Sequence, residues 1–388
     1  MIGLIEIVLL SILAICFIIQ MIFYWVILAK PYYYLKSVEK GDISFSSDYP
    51  PVSVIIYVKN RFYDLQDFLP ALLEQDYPQF EVIIVNDGST EENKNILFRL
   101  QEQYANLYAT HIPDETKNVS RKKLGITLGI KAAKYDCLLF TEADSHTRSS
   151  NWIQLMARHF GQNKTVVLGM SAKEKEEGFF SKFITFDYFY SNLQMLSMAL
   201  RNRPYAGSGR NLIYSKTHYN EQKGFARYHS TRQIEDDLFI NDIAAESEAE
   251  VELSSESVVM TDLNDYDWKQ EKKGRAFINH FYKRRVALWN LESFSRFFFI
   301  LSVIACLVWG FMHPEILPYM AGAAVGCYLI RLFSQLFVVN KIASSLELEK
   351  FYLTIPLFDL MQIMMNVYFF MFRVVHKKEN YIFKYEKR

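Results

Sequence analysis

Apolar positions fall into long runs at the two ends of the chain and short runs in its middle. Residues 2–28 are almost uninterrupted Ile, Leu, Phe and Met, enough to cross a hydrocarbon core that takes about 20 residues. Phe297 to Met312 and Leu317 to Val339 are divided only by His313-Pro314-Glu315 and predict a helical hairpin. The last run, Leu353 to Val375, carries Asp359, Gln362, Asn366 and Arg373 at spacings that share one helix face. In the middle, Val52 to Val58, Val82 to Val85 and the stretch Asp136 to Asp144 lack polar alternation, as strands buried on both faces of a parallel sheet do. Helices are predicted between them. Tyr63 to Gln75 is amphipathic, Ser89 or Thr90 caps a helix with Glu91 and Glu92 in its first turn, and Ser120 caps Ser120 to Lys134. The series is βαβαβ, hence an α/β sheet whose carboxyl edge carries short loops, the usual place for a ligand.

Charge orients this plan. Lys30, Lys36 and Lys40 follow the first long run, so the positive-inside rule puts the soluble middle in the cytosol. The run lacks a basic leader and is too long for a cleaved signal peptide. The final run is basic on both flanks, with Lys341 and Lys350 before it and Lys377, Lys378, Lys384, Lys387 and Arg388 after it. Together with its polar stripe this predicts a segment along the cytoplasmic interface, or re-entrant, with a cytosolic C-terminus; the alternative is a spanning helix whose stripe packs on the hairpin. The expected division is a transmembrane helix at 1–29, a linker at 30–50, a cytosolic catalytic domain at 51–280, a basic and aromatic interfacial helix at 281–296, two transmembrane helices at 297–340, and the interfacial or re-entrant helix with its tail at 341–388. With 388 residues, 51% of them hydrophobic, the chain holds one sizeable soluble domain plus membrane segments. Lys+Arg and Asp+Glu balance at 43 each, which argues against nucleic acid as a partner. Cys16, Cys137, Cys306 and Cys327 have no CxxC spacing and indicate neither zinc nor a disulfide framework.

Three acidic clusters stand out: Asp87, Glu142-Ala143-Asp144, and Glu235-Asp236-Asp237 ahead of Leu238-Phe239-Ile240. Each follows or borders a strand-like run, and hard carboxylate oxygens suit Mg²⁺ or Mn²⁺. Acids at helix N-termini are the plainer reading of any one cluster alone. Gly207-Ser208-Gly209 offers backbone amides that can come close to a sugar, since glycine has no Cβ in the way.

From "PPVSVIIYVKNRFYDLQDFLPALLEQDYPQFEVIIVNDGST" through "TEADS", "GSGRNLIYSK" and "IEDDLFIN", in that order, the chain resembles a membrane-anchored bacterial family 2 glycosyltransferase. The likeness covers about Pro51 to Gly274. It implies a GT-A type, Rossmann-like mixed sheet with helices on both faces, flanked by N-terminal and C-terminal transmembrane helices. It also implies an inverting, metal-dependent hexosyltransferase that uses a UDP-sugar at the inner membrane and acts on a polysaccharide or polyprenyl-linked acceptor. The donor site implied is Asn60, Asp87, Gly88, Ser89, Lys122, Glu142, Gly207, Arg210, Gln270 and Lys273. Asp144 is the implied Mg²⁺ or Mn²⁺ ligand, Lys122 and Lys273 meet the diphosphate, and the base is Glu235 or Asp236 beside Asp237.

The sequence departs from the family pattern at Tyr57, usually Pro, at Arg61, usually an acid, and at Asn86 and Glu142, each in place of an Asp. The late Gln-x-x-Arg-Trp motif is reduced to "QEKKG", Gln270 to Gly274. A second hypothesis is therefore a degenerate membrane scaffold that partners an active glycan synthase. A third, nucleotidyl transfer onto a sugar phosphate, lacks its glycine-rich basic loop near the first strand.

Overall fold

The computed structural model describes residues 3–376, apart from residues 60, 89–90, 114–119, 162–163, 229–234, 244–248 and 279–284. At residues 62–66, 91–93, 227–228, 235–236, 238, 242, 278 and 285–286 it describes the backbone alone. Helix α1 (Leu4–Ile22) runs through a π-helical turn (Phe23–Leu28) into α2 (Lys30–Glu39). The alternating domain follows as β1 (Val52–Val58), α3 (Phe62–Leu73), β2 (Phe80–Asn86), α4 (Glu91–Gln103), β3 (Leu107–His111), α5 (Arg121–Ala132) and β4 (Cys137–Glu142). Then come β5 (Ser145–Thr147), α6 (Trp152–Ala157), β6 (Val166–Gly169), β7 (Ser171–Lys173), α7 (Phe179–Ala199), β8 (Leu212–Ser215) and α8 (Lys216–Glu221). The chain closes with α9 (Glu235–Ile243), β9 (Ala249–Glu252), β10 (Val259–Thr261), α10 (Asp265–Ile278), α11 (Arg285–Met312), α12 (Leu317–Ser345) and α13 (Ile355–Val375).

The main sheet has the order β3-β2-β1-β4-β8-β6-β9, with β8 antiparallel to both neighbours and the other pairs parallel. A small sheet, β5-β10-β7, stands beside it. The unbroken apolar runs have their cause here. Val52, Val54, Ile56, Val82 and Ile84 point to one face, with Leu69, Leu72, Leu97, Trp152 and Met156 of α3, α4 and α6. Ile55, Ile83, Val85, Leu138 and Phe140 point to the other, with Ile126 and Ile130 of α5 and the aromatic residues of α7. Successive strand side chains alternate faces, so a sheet covered on both sides needs every position apolar.

On the second face the core does not stop at the domain. Helix α7, buried along most of its length, packs in the same apolar cluster as the π-helical turn, Val338, Val339 and Ile342 of α12, and Ile355 and Phe358 of α13. Four helical stretches, Leu4–Glu39, Ala287–Met312, Leu317–Ser345 and Ile355–Val375, are long and apolar enough to cross a membrane. The expected linker therefore begins as helix at residues 30–39, since Pro31 near its start and the apolar Tyr32, Tyr34 and Leu35 let the helix continue over α7 and α12. The described part of the expected interfacial helix, from Arg285, is continuous with the first arm of the hairpin in α11.

Charged side chains lock these helices together. Asp359 of α13 is paired with Arg331 of α12 at 2.9 Å and Arg296 of α11 at 3.3 Å, all three buried. Arg296 also binds Glu292 one turn away and donates to Gln362 at 2.8 Å. Arg331 donates to Gln20 and Tyr24 of the N-terminal helix at 3.1 and 3.2 Å. Half of the polar stripe on the last helix thus faces protein and not lipid, the arrangement that charge in an apolar medium demands. Replacing Asp359 by Asn leaves Arg331 without a carboxylate partner among the described residues. We expect a loss of about 3–5 kcal/mol, read by denaturation of the purified protein in detergent; an unchanged midpoint would show that the network does not hold the helices.

Candidate active site

The carboxyl edge of the main sheet gathers five of the ten expected donor residues, Asp87, Gly88, Lys122, Glu142 and Arg210. Asp87, directly after β2, is buried and pinned: the Tyr57 hydroxyl and Arg121 Nε donate to it, the latter at 2.6 Å, and Lys59 lies 3.6 Å away. Burial first, and then the bond to Asp87, push the Tyr57 phenol far above its ordinary value, so it remains a donor. Gly88 turns the chain with φ +80 and has open space where a Cβ would stand, so a ligand can approach the backbone there. Asn60 and Ser89 lie outside the described residues.

Arg121 and Lys122 come from the first turn of α5, whose Ser120 hydroxyl accepts from the Lys123 amide at 3.5 Å. The helix lies close against the strands because Gly129 faces Ile55, where a Cβ would fall 2.6 Å from Cγ2. Close packing brings the Lys122 ammonium to 2.7 Å from Glu142 at the end of β4. Arg210, from the loop before β8, completes the cluster. It is buried and reaches Glu142 at 3.1 Å, Asp144 at 3.2 Å and Glu271 at 2.8 Å. Gly207 lies farther inside, where a Cβ would come 2.8 Å from Ile240 of α9.

These contacts bear on the expected metal. Asp144 receives Arg210 on both oxygens, at 3.4 and 3.2 Å, and Ser145 Oγ on one at 2.9 Å. Glu142 receives Lys122 on one oxygen and Arg210 on the other. As arranged, this donor set does not fit a divalent ion, which would have to displace a buried guanidinium to reach Asp144.

Helix α10 organises the rest. Asp267, Glu271 and Arg275, at i, i+4 and i+8, form one stripe. Asp267 pairs with Arg61 after β1, Glu271 with Arg210, and Arg275 with Asp237 at 3.2 Å. The neighbouring stripe turns away: Trp268 Nε1 and Lys272 Nζ meet Asp187 of α7 at 2.9 and 2.6 Å. Lys273 does not join the acids of the sheet edge; its ammonium stands 4.8 Å over the ring of Phe372 on α13. Gln270 is half-buried on the same helix. The stripe Asp267, Glu271, Arg275 was missed in favour of Gln270 and Lys273, although its i, i+4 charge spacing is a signal the sequence does carry.

The third acidic cluster needs a correction. Residues 235–243 form a helix, not a strand end, and place Glu235, Asp236 and Asp237 in its first turn, where acids favour the positive end of the helix dipole. Asp237 is buried against Arg275. The side chains of Glu235 and Asp236 lie outside the described residues.

Burial alone would raise the Glu142 carboxyl, but Arg210, Lys122 and Arg61 outweigh it and hold the group down at about 2, against an ordinary value of 4.5. A carboxylate depressed in the folded state stabilises fully above its unfolded value and loses that contribution as pH falls through the folded one. Between pH 4.5 and about 2 the wild-type unfolding free energy should therefore fall more steeply than that of Glu142→Gln. Parallel slopes in urea titrations across that window would refute the pairing.

Residues 53–230 match Glycosyl transferase family 2. Poly-beta-1,6-N-acetyl-D-glucosamine synthase of Staphylococcus epidermidis is 27% identical over 134 residues, 34% of this chain and 30% of that protein. The enzyme of the same name from Staphylococcus aureus strain COL is 22% identical over 127 residues, 31% of this chain and 29% of that protein. The match thus spans less than a third of the length of these relatives. Among solved structures, mannosyltransferase PcManGT from Pyrobaculum calidifontis, in complex with GDP-Man and Mn²⁺, superposes with a TM-score of 0.51 at 14% identity, covering 86% of this chain and 99% of that one. Sheet order and structural likeness agree on a GT-A fold, and within it residues 53–230 are similar to Glycosyl transferase family 2, on a chain with long apolar helices at both ends.

Proposed function

We propose that this protein transfers a hexosyl group from a UDP-sugar to a glycan or lipid-linked acceptor at the cytoplasmic face of the inner membrane, with inversion. The observation that carries the reading is the cluster of Asp87, Glu142 and Asp144 with Arg121, Lys122 and Arg210 on one sheet edge. Asp87, oriented by Tyr57 and Arg121, accepts a hydrogen bond from the base or ribose. Lys122 and Arg210 exchange carboxylate for phosphate oxygen and meet the charge that grows on the leaving diphosphate, as fixed cations in a site that excludes water can do. In one displacement the acceptor oxygen bonds to the anomeric carbon as the bond to the diphosphate breaks. The acceptor proton passes to a carboxylate in the first turn of α9, Glu235 or Asp236, and UDP departs.

Mg²⁺ and Mn²⁺ are the ions to test. A UDP-sugar panel assayed for hydrolysis and transfer, with either ion and with chelator, tests the reading; no turnover of any sugar sinks it. Glu235→Gln or Asp236→Asn should lower the rate by about 100-fold or more with UDP affinity kept. If both variants keep near-normal transfer, the base lies elsewhere.

One observation favours the scaffold reading instead: Arg210 clamps Asp144, the acid that the resemblance gives to a metal, and Glu142 beside it. UDP binding without turnover, in wild type and in Arg210→Gln alike, would decide for it.

A further inference from the structure

Helix α9 is held in two different ways along its length. Its later turns are packed: Phe239 stands against the rings of Tyr214, Tyr219 and Phe225 at 4.8, 5.3 and 5.7 Å, and Ile240 fills the space beside Gly207. Its first turn, which carries Glu235 and Asp236, is held by charge, through the buried Asp237 and the Nε of Arg275 at 3.2 Å. Asp237 and Arg275 both border a cavity of about 570 Å³, walled also by residues of α7, α11 and α13. On that side open space stands where apolar packing would otherwise back the turn, so the position of the turn follows the ion pair.

Arg275 can serve as a fixed point because α10 does not yield. Asp187 of α7 takes Trp268 and Lys272 on one oxygen, at 2.9 and 2.6 Å, and Gln362 of α13 donates to the other at 3.1 Å. One turn before Arg275, Glu271 meets Arg210, which in turn binds Glu142 and Asp144. The cluster on the sheet edge and the first turn of α9 are thus tied to successive turns of one helix, on the same face. Neutralising a buried acid would by itself explain a cation beside Asp237. What goes further is the placement: Asp237 adjoins the candidate base in sequence, and its partner sits on the helix that also carries the partner of Arg210.

We infer that Arg275 is a positioning residue for the transfer: through Asp237 it sets where the first turn of α9 stands relative to the cluster of Lys122, Glu142, Asp144 and Arg210. This rests on the reading above in which a carboxylate of that turn takes the acceptor proton. Arg275 itself touches neither donor nor acceptor. Its effect is geometric, and a base displaced by about 1 Å can cost a factor of 100 in rate while the donor still binds.

The test uses the full chain in detergent micelles and the donor of the UDP-sugar panel that wild type turns over fastest. kcat, KM for that donor and the affinity for UDP are measured in wild type, Arg275→Met, Arg275→Lys, Asp237→Asn, and the double variant Arg275→Met with Asp237→Asn. The double variant leaves no buried acid without its cation, so it keeps the test open if Arg275→Met fails to fold. Arg275→Met and the double variant should lose about tenfold to 100-fold in kcat, with KM and UDP affinity within about twofold of wild type. The losses should not add, because the pair acts as one unit. Arg275→Lys, which keeps the ion pair, should recover most of the rate. Wild-type kcat in the double variant overturns the inference and leaves the transfer reading standing. UDP affinity that falls in step with kcat also overturns it, by making Arg275 part of the donor site. Equal losses in Arg275→Lys and Arg275→Met overturn it in favour of direct contact between the guanidinium and the reacting groups. Wild type that binds UDP and turns over no donor strikes the transfer reading itself, and this inference with it.

Discussion

Asp359 between Arg296 and Arg331 is the constraint on which the rest of the structure depends. A buried charge is costly unless paired, and in a bilayer the alternatives are fewer still. The pairing therefore leaves little freedom in how the last helix sits against the hairpin. From there the chain of contacts runs inward. Gln362, next along the stripe, bonds to Arg296 at 2.8 Å and to Asp187 of α7 at 3.1 Å. Asp187 in turn holds Trp268 and Lys272 of α10. The membrane helices and the sheet edge share one polar thread.

Helix α10 carries that thread to the candidate site. One of its stripes is fixed to α7, so the adjacent stripe must present Asp267, Glu271 and Arg275 to the loop after β1, to Arg210 and to Asp237. Glu271 and Arg275 stand one turn apart, about 6 Å along the axis, and this sets the spacing between the Arg210 cluster and the candidate base turn. The acids at this edge are thus held by arginine and lysine, Glu142 by Lys122 and Arg210 and Asp144 by Arg210.

Much of this was legible beforehand, for reasons that lie in local chemistry. Val52 to Val58 and Val82 to Val85 announce a sheet covered on both faces because no other setting tolerates apolar residues at every position. Asp87 and Asp144 were expected at the carboxyl edge because each closely follows an apolar strand run, and both lie there, buried. The order of the four quoted segments pointed to the family and its GT-A fold. The run Leu238-Phe239-Ile240, by contrast, is too short for periodicity to separate strand from helix, and it proved helical.

By itself the sequence determined the strands and their faces, the apolar helices, and the acids at the carboxyl edge, since each of these follows from residues near one another along the chain. Only the tertiary structure decided where the charges find their partners. Arg210 meets Asp144 across 66 positions, Arg331 reaches Gln20 across 311, and Lys273 leaves the acids for Phe372. Such pairings depend on which helix faces are left over once the apolar ones are buried. Periodicity gives the stripe on which a charge lies, but the partner is chosen when the elements pack, because an ion pair is a property of two surfaces and not of one segment.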